Sequence, residues 1–193
     1  MSVNLMKQPV ADQIAAIYVA YFGRSPDPEG HAYWAKSYAA REEQGWEASQ
    51  ILKEMSEQFR HSDEAKALYP ALDPANAGSA DETAIGAFID TIYDNLFERA
   101  PDAAGRAYWR DEIVRRLEAG EEVGSFLVDV MAGAQDHTAD ASTLDWKMRE
   151  GLAEMGRADP DALDFDALRA AVRQDPGPSE PALGSARGDV SPG

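Results

Sequence analysis

The chain repeats itself. Shifted by 75 residues, it falls into register with itself without a gap, and FGRSPDPEGHAYW (residues 22–34) returns as FERAPDAAGRAYW (residues 97–109). Ile14, Ile17, Tyr18 and Phe22 meet Ile89, Ile92, Tyr93 and Phe97; Arg41, Gly45 and Leu52 meet Arg116, Gly120 and Leu127. A single repetition at this distance means two copies of one supersecondary unit, since a solenoid would need several.

Each copy reads as three helices. Val10, Ile14, Ile17, Tyr18, Tyr21 and Phe22 share one face at helical spacing, as do Ile85, Ile89, Ile92, Tyr93, Leu96 and Phe97. Gly23 suits the left-handed position that stops a helix. Glu98 stands there in the second copy, so that stop needs another geometry or accepts strain. Pro26 and Pro101 cannot continue a helix. Asp27 and Asp102 are N-cap residues for the next one, Pro28 is preset for its first turn, and Glu29 complements its dipole. Gly30 and Gly105 follow the caps. Trp34 with Tyr38, and Trp109 with Ile113, lie four residues apart on one face. Gly45 and Gly120 end the second helix. Ala48, Ile51, Leu52, Met55 and Phe59 form the third apolar face, matched by Val123, Phe126, Leu127, Val130 and Ala134.

The expected fold is therefore all-α. Two tandem three-helix units, residues 1–66 and 85–142, pack together because three short helices bury little surface alone. A turn-rich linker spans 67–84, and C-terminal helices spanning 143–174 pack on the repeats. Within that span, residues 143–156 start at Thr143 or Asp145, and residues 161–173 open at Asp159-Pro160. The Pro, Gly and Ser composition of 175–193 predicts a disordered tail.

With 35 acidic against 18 basic residues the formal net charge is −17, which repels phosphates and excludes a nucleic-acid partner. No stretch approaches a membrane helix, so no membrane insertion is expected. The absence of cysteine removes disulfides, thiol catalysis and thiolate metal sites. The apolar run near the N-terminus has a twin at 85–97, so it reads as a structural helix and not as a cleaved leader.

The twice-stated pattern Y..F.R.PD..G..YW resembles the bacterial family known as domain of unknown function 4214, whose helical unit carries an LY...LGR.PD..GL.YW core. The residues that carry it are Gly23, Arg24, Pro26, Asp27, Gly30, Tyr33 and Trp34, then Arg99, Pro101, Asp102, Gly105, Tyr108 and Trp109. His31 and Arg106 depart from the pattern after the glycine, and the second copy lacks the glycine before its arginine. The resemblance implies a secreted or cell-surface bacterial protein, beside calcium-binding repeats or in surface layers, exported by a leaderless type I route. A cytoplasmic location is the alternative.

No chemistry stands out. His31, His61 and His137 have no zinc spacing, and His61-Ser62-Asp63 are adjacent residues that cannot converge as a triad. Residues 159–167 lack the glycine and terminal Glu of a calcium loop and read as a cap plus amphipathic helix. No cofactor and no metal are expected. Tyr33, Trp34, Tyr108 and Trp109 read as core, with a platform for sugar rings as the alternative. Trp46 stands opposite Glu121, so the repeat does not require it, and it is the aromatic best placed for exposure. Arg24 and Arg99 tie the corner to a carboxylate or carbonyl, with a ligand role as the alternative. Arg187-Gly188-Asp189 reads as a chance match. The leading expectation is a non-catalytic module binding a surface polysaccharide or surface protein in a groove where the units meet. The alternatives are a cytosolic protein–protein adaptor and a carboxylate-dependent hydrolase.

Overall fold

A computed structural model of the chain describes residues 4–70, 81–134 and 137–173. Most of the linker, the tail and the Arg187-Gly188-Asp189 tripeptide lie outside the described residues. Among the described residues every regular element is helical. A 3-10 turn at Leu5–Lys7 precedes α1 (Val10–Phe22), α2 (Pro28–Glu43), α3 (Ala48–Arg60) and α4 (Asp63–Leu68). The second half holds α5 (Glu82–Phe97), α6 (Ala103–Ala119), α7 (Phe126–Gly133), α8 (Thr138–Met155) and α9 (Phe165–Ala171).

Helix α1 is the centre of the molecule. From Gln13 to Phe22 every residue is buried, because α8, α5, α2 and α3 all pack on it. Equivalent helices of the two units also meet: α1 packs on α5, and α3 packs on α7. The second meeting is close. The buried Glu57 carboxylate accepts the Gly124 N–H at 2.8 Å, and a side chain at Gly124 would run into the Glu57 backbone, its Cβ 2.6 Å from Cα. Asn95 Nδ2 donates to the Ala20 carbonyl at 3.0 Å across the α1–α5 seam.

The corners are built as the pattern predicts. Asp27 Oδ1 accepts the Gly30 N–H at 2.7 Å, and Asp102 Oδ1 accepts the Gly105 N–H at the same distance. Gly23 caps α1 at φ 60°, and Glu98 caps α5 at φ 55°. The second stop thus keeps the left-handed geometry and accepts the strain, at about 1–2 kcal/mol for a residue with a Cβ. Gly45 (φ 85°) and Gly120 (φ 67°) follow α2 and α6 as expected.

The repeat extends further than three helices. α4 and α8 start 75 positions apart, at Asp63 and Thr138. α8 therefore begins before Thr143 or Asp145, and its N-terminus carries no side-chain cap. α9 opens later than Asp159-Pro160. Asp164 caps it by accepting the N–H groups of Asp166 and Ala167.

Candidate functional site

The Tyr-Trp pairs divide between core and surface. Trp34 and Trp109 pack against the core, Trp34 with its ring 5.2 Å from Phe59 and Trp109 with its ring 5.1 Å from Phe126. Trp109 Nε1 donates to the Tyr93 hydroxyl at 2.9 Å. Tyr33 and Tyr108, expected in the core, are each 62% exposed. Successive helical residues point about 100° apart. Once Trp34 and Tyr38 take the inward face of α2, Tyr33 turns outward.

Tyr33, Ser37 and Arg41 follow at four-residue spacing along one edge of α2. Trp46, 40% exposed, sits in the loop that follows, with the Arg41 guanidinium 5.9 Å from its ring centroid. Arg41 is anchored by Glu54 of α3 and by the Ser37 hydroxyl at 2.5 Å. The Glu54 bond holds Arg41 above its ordinary pKa against the opposing effect of burial. The edge thus offers two exposed aromatic faces beside a fixed guanidinium, a hydroxyl and a carboxylate. α2 packs on α1 and α3. The edge therefore belongs to the first unit's own surface, not to a groove where the units meet.

At the matching edge of the second unit, Tyr108 is exposed, but Glu121 replaces Trp46 and pairs with Arg115 at 3.2 Å. Glu112, in the place of Ser37, bonds Arg115 and Arg116, which together pull its carboxyl down to about 2. Arg116 still reaches helix three, at 3.1 Å from Asp129, as Arg41 reaches Glu54.

Arg24 is buried, 4% exposed, and its guanidinium pairs with both oxygens of Glu64, 3.0 and 2.7 Å away. Nη1 donates to the Ser25 carbonyl, so each of the three guanidinium nitrogens has a partner within the chain. Arg99 makes the equivalent pair with Asp140, at 2.9 and 2.5 Å, but its side chain is 43% exposed. The partners Glu64 and Asp140 escape the gap-free alignment because Asp140 is one residue out of register: Glu64 aligns with Ala139. Lys147 leaves no sequence signal either. It is an exposed-type residue that tertiary packing encloses, donating to the Val172 carbonyl at 2.8 Å and pairing with Glu98 at 2.9 Å.

Among the described residues no three His, Asp or Glu side chains gather as a metal site, and no helix is long and apolar enough to cross a membrane. Two acids of 159–167 act as caps: Asp159 accepts the Asp161 N–H, and Asp164 holds α9.

No curated protein and no solved structure matches the chain. A family match runs from Ser56 in α3 to Phe126 at the start of α7 and takes in the whole second corner, Arg99, Pro101, Asp102, Gly105, Tyr108 and Trp109; the first corner lies outside this span. The family whose model matches over residues 56–126 is described as Domain of unknown function (DUF4214).

Proposed function

We propose that this chain is a non-catalytic interaction module that binds a cell-surface glycan through the outer edge of α2. The observation that carries the reading is Trp46, an exposed aromatic that the repeat does not require, next to the edge that holds the exposed Tyr33. Aromatic faces stack on the C–H faces of sugar rings. Arg41, Ser37 and Glu54 supply hydrogen-bond partners for sugar hydroxyls in an already fixed arrangement. The net charge of −17 favours neutral or basic glycans over acidic ones. A site with so few anchors binds weakly, with an affinity on the order of 10–1000 μM. The context of secreted and surface proteins implied by the family resemblance fits a role outside the cell.

A glycan array and pull-down on whole bacterial envelopes test this. Trp46→Ala and Tyr33→Ala should each abolish glycan capture and leave the helical circular dichroism unchanged. Recovery of protein partners alone, with no glycan competing them off, would replace this reading with the adaptor.

A further inference from the structure

The two corners differ in what covers them. Over the first lies α9. The Phe165 ring sits 4.8 Å from the Arg24 guanidinium carbon, on top of the contacts that Tyr18 and Phe22 already make. The Ser25 N–H donates to the Leu168 carbonyl at 3.0 Å. Leu168 and Val172 are buried, and Arg169 reaches Glu64 at 3.7 Å. One short helix therefore supplies an aromatic ring, a carbonyl, an apolar side chain and a cation to the corner.

Among the described residues no helix lies over the second corner as α9 lies over the first. Arg99 stacks on Tyr93 and Phe97 of its own unit, at 5.5 and 5.8 Å, and no other ring lies over it among the described residues. Ala100, the counterpart of Ser25, is exposed, and its N–H has no acceptor among the described residues. The ring that fills the first unit is also missing. Phe59 packs at 4.9 Å on Tyr18, 5.1 Å on Phe22 and 5.2 Å on Trp34, and Ala134 stands in its place. A groove of about 340 Å³ follows, lined by Tyr93, Phe97, Arg99, Trp109, Gly133 and Ala134.

We propose that this groove docks a helical segment of a partner protein with the chemistry of α9: an aromatic residue, an aliphatic one three positions on, and a basic one directly after it. The aromatic residue covers Arg99, a backbone carbonyl takes the Ala100 N–H, and the cation meets Asp102 on the rim of an acidic molecule. The chain's own α9 is held on the first corner by buried Leu168 and Val172 and by Lys147, so the segment comes from elsewhere. This surface is separate from the Trp46 edge, and either can fail without the other.

The probe is the α9 sequence itself, residues 163–173, as a fluorescent peptide. An isolated peptide of this length is poorly helical. A lactam from Asp166 to an Ala170→Lys change, both exposed positions, holds the helix. Titrated into the full chain, it should bind with amide shifts at Arg99, Ala100 and Gly133. Phe165→Ala in the peptide should weaken binding at least tenfold. Gly133 has open space around it, and Gly133→Arg in the protein should abolish binding without lowering the melting temperature. Absence of binding at millimolar peptide would overturn the proposal. So would shifts centred on Ser25 with binding retained in Gly133→Arg, which would mean displacement of the resident α9. Concentration-dependent dimerisation of the chain alone, lost in Gly133→Arg, would assign the groove to a second copy and overturn the partner.

Discussion

The corner at residues 23–34 and the corner at 98–109 share an aspartate cap of the same length, a left-handed stop and an arginine–carboxylate pair, yet Arg24 is buried and Arg99 is exposed. The caps depend on neighbours within three residues, so both copies make them alike. Burial depends on what the rest of the chain lays over the corner. α9 and Phe59 close the first; Ala134 and exposed Arg99 leave the second open. The same local structure can thus hold a core in one place and present a surface in another.

The largest expected effect lies in the ring that only the first unit has. Phe59→Ala should cost about 3–5 kcal/mol, as for a buried aromatic touching several others. Chemical denaturation measures it. A loss under about 1 kcal/mol would mean that the aromatic cluster does not organise the first corner.

Next come the two arginines. Arg24→Ala removes a buried pair together with the platform under Phe165 and should cost about 3 kcal/mol. Arg99→Ala should cost about 2 kcal/mol: the arginine is nearly half exposed, but its loss leaves the buried Asp140 carboxylate without its partner. Equal losses would show that α9 adds nothing to the first corner.

The caps should not distinguish the corners. Asp27→Ala and Asp102→Ala should each destabilise by about 1 kcal/mol. Thermal melts of the two variants should coincide, and a clear inequality would tie cap strength to burial.

The smallest effect is in acid. In the second unit, Arg115 and Arg116 hold the Glu112 carboxyl down to about 2, whereas the first unit has Ser37 at that place. A depressed carboxyl adds stability above its unfolded value of 4.5, and that stability is lost as pH falls from there toward 2. Glu112→Ser should therefore flatten the fall of melting temperature across this window. An unchanged acid limb would show that solvent screens the pair.

The sequence was legible wherever contacts are short-ranged. Helical periodicity, the Pro and Gly stops, and the aspartate caps set the α1–α3 and α5–α7 pattern and the 75-residue register, because each depends on residues within about one turn. Trp46 could be singled out because duplication exposes positions that the fold does not require. Tyr33 and Tyr108 misled for the opposite reason: both copies keep them beside a tryptophan packed on the core, but neighbours on a helix face different directions.

Tertiary structure alone decided the rest. The carboxylates that meet Arg24 and Arg99 stand 40 and 41 residues downstream and out of register, so no local rule links them. Lys147 is charged and buried because Glu98 and the Val172 carbonyl converge on it from distant segments. Which corner α9 covers follows from how α8 returns the chain across α1. Short-range patterns set two copies of one helical corner; packing, which sums contacts between residues far apart in the chain, buried the arginine of one and left the arginine of the other exposed.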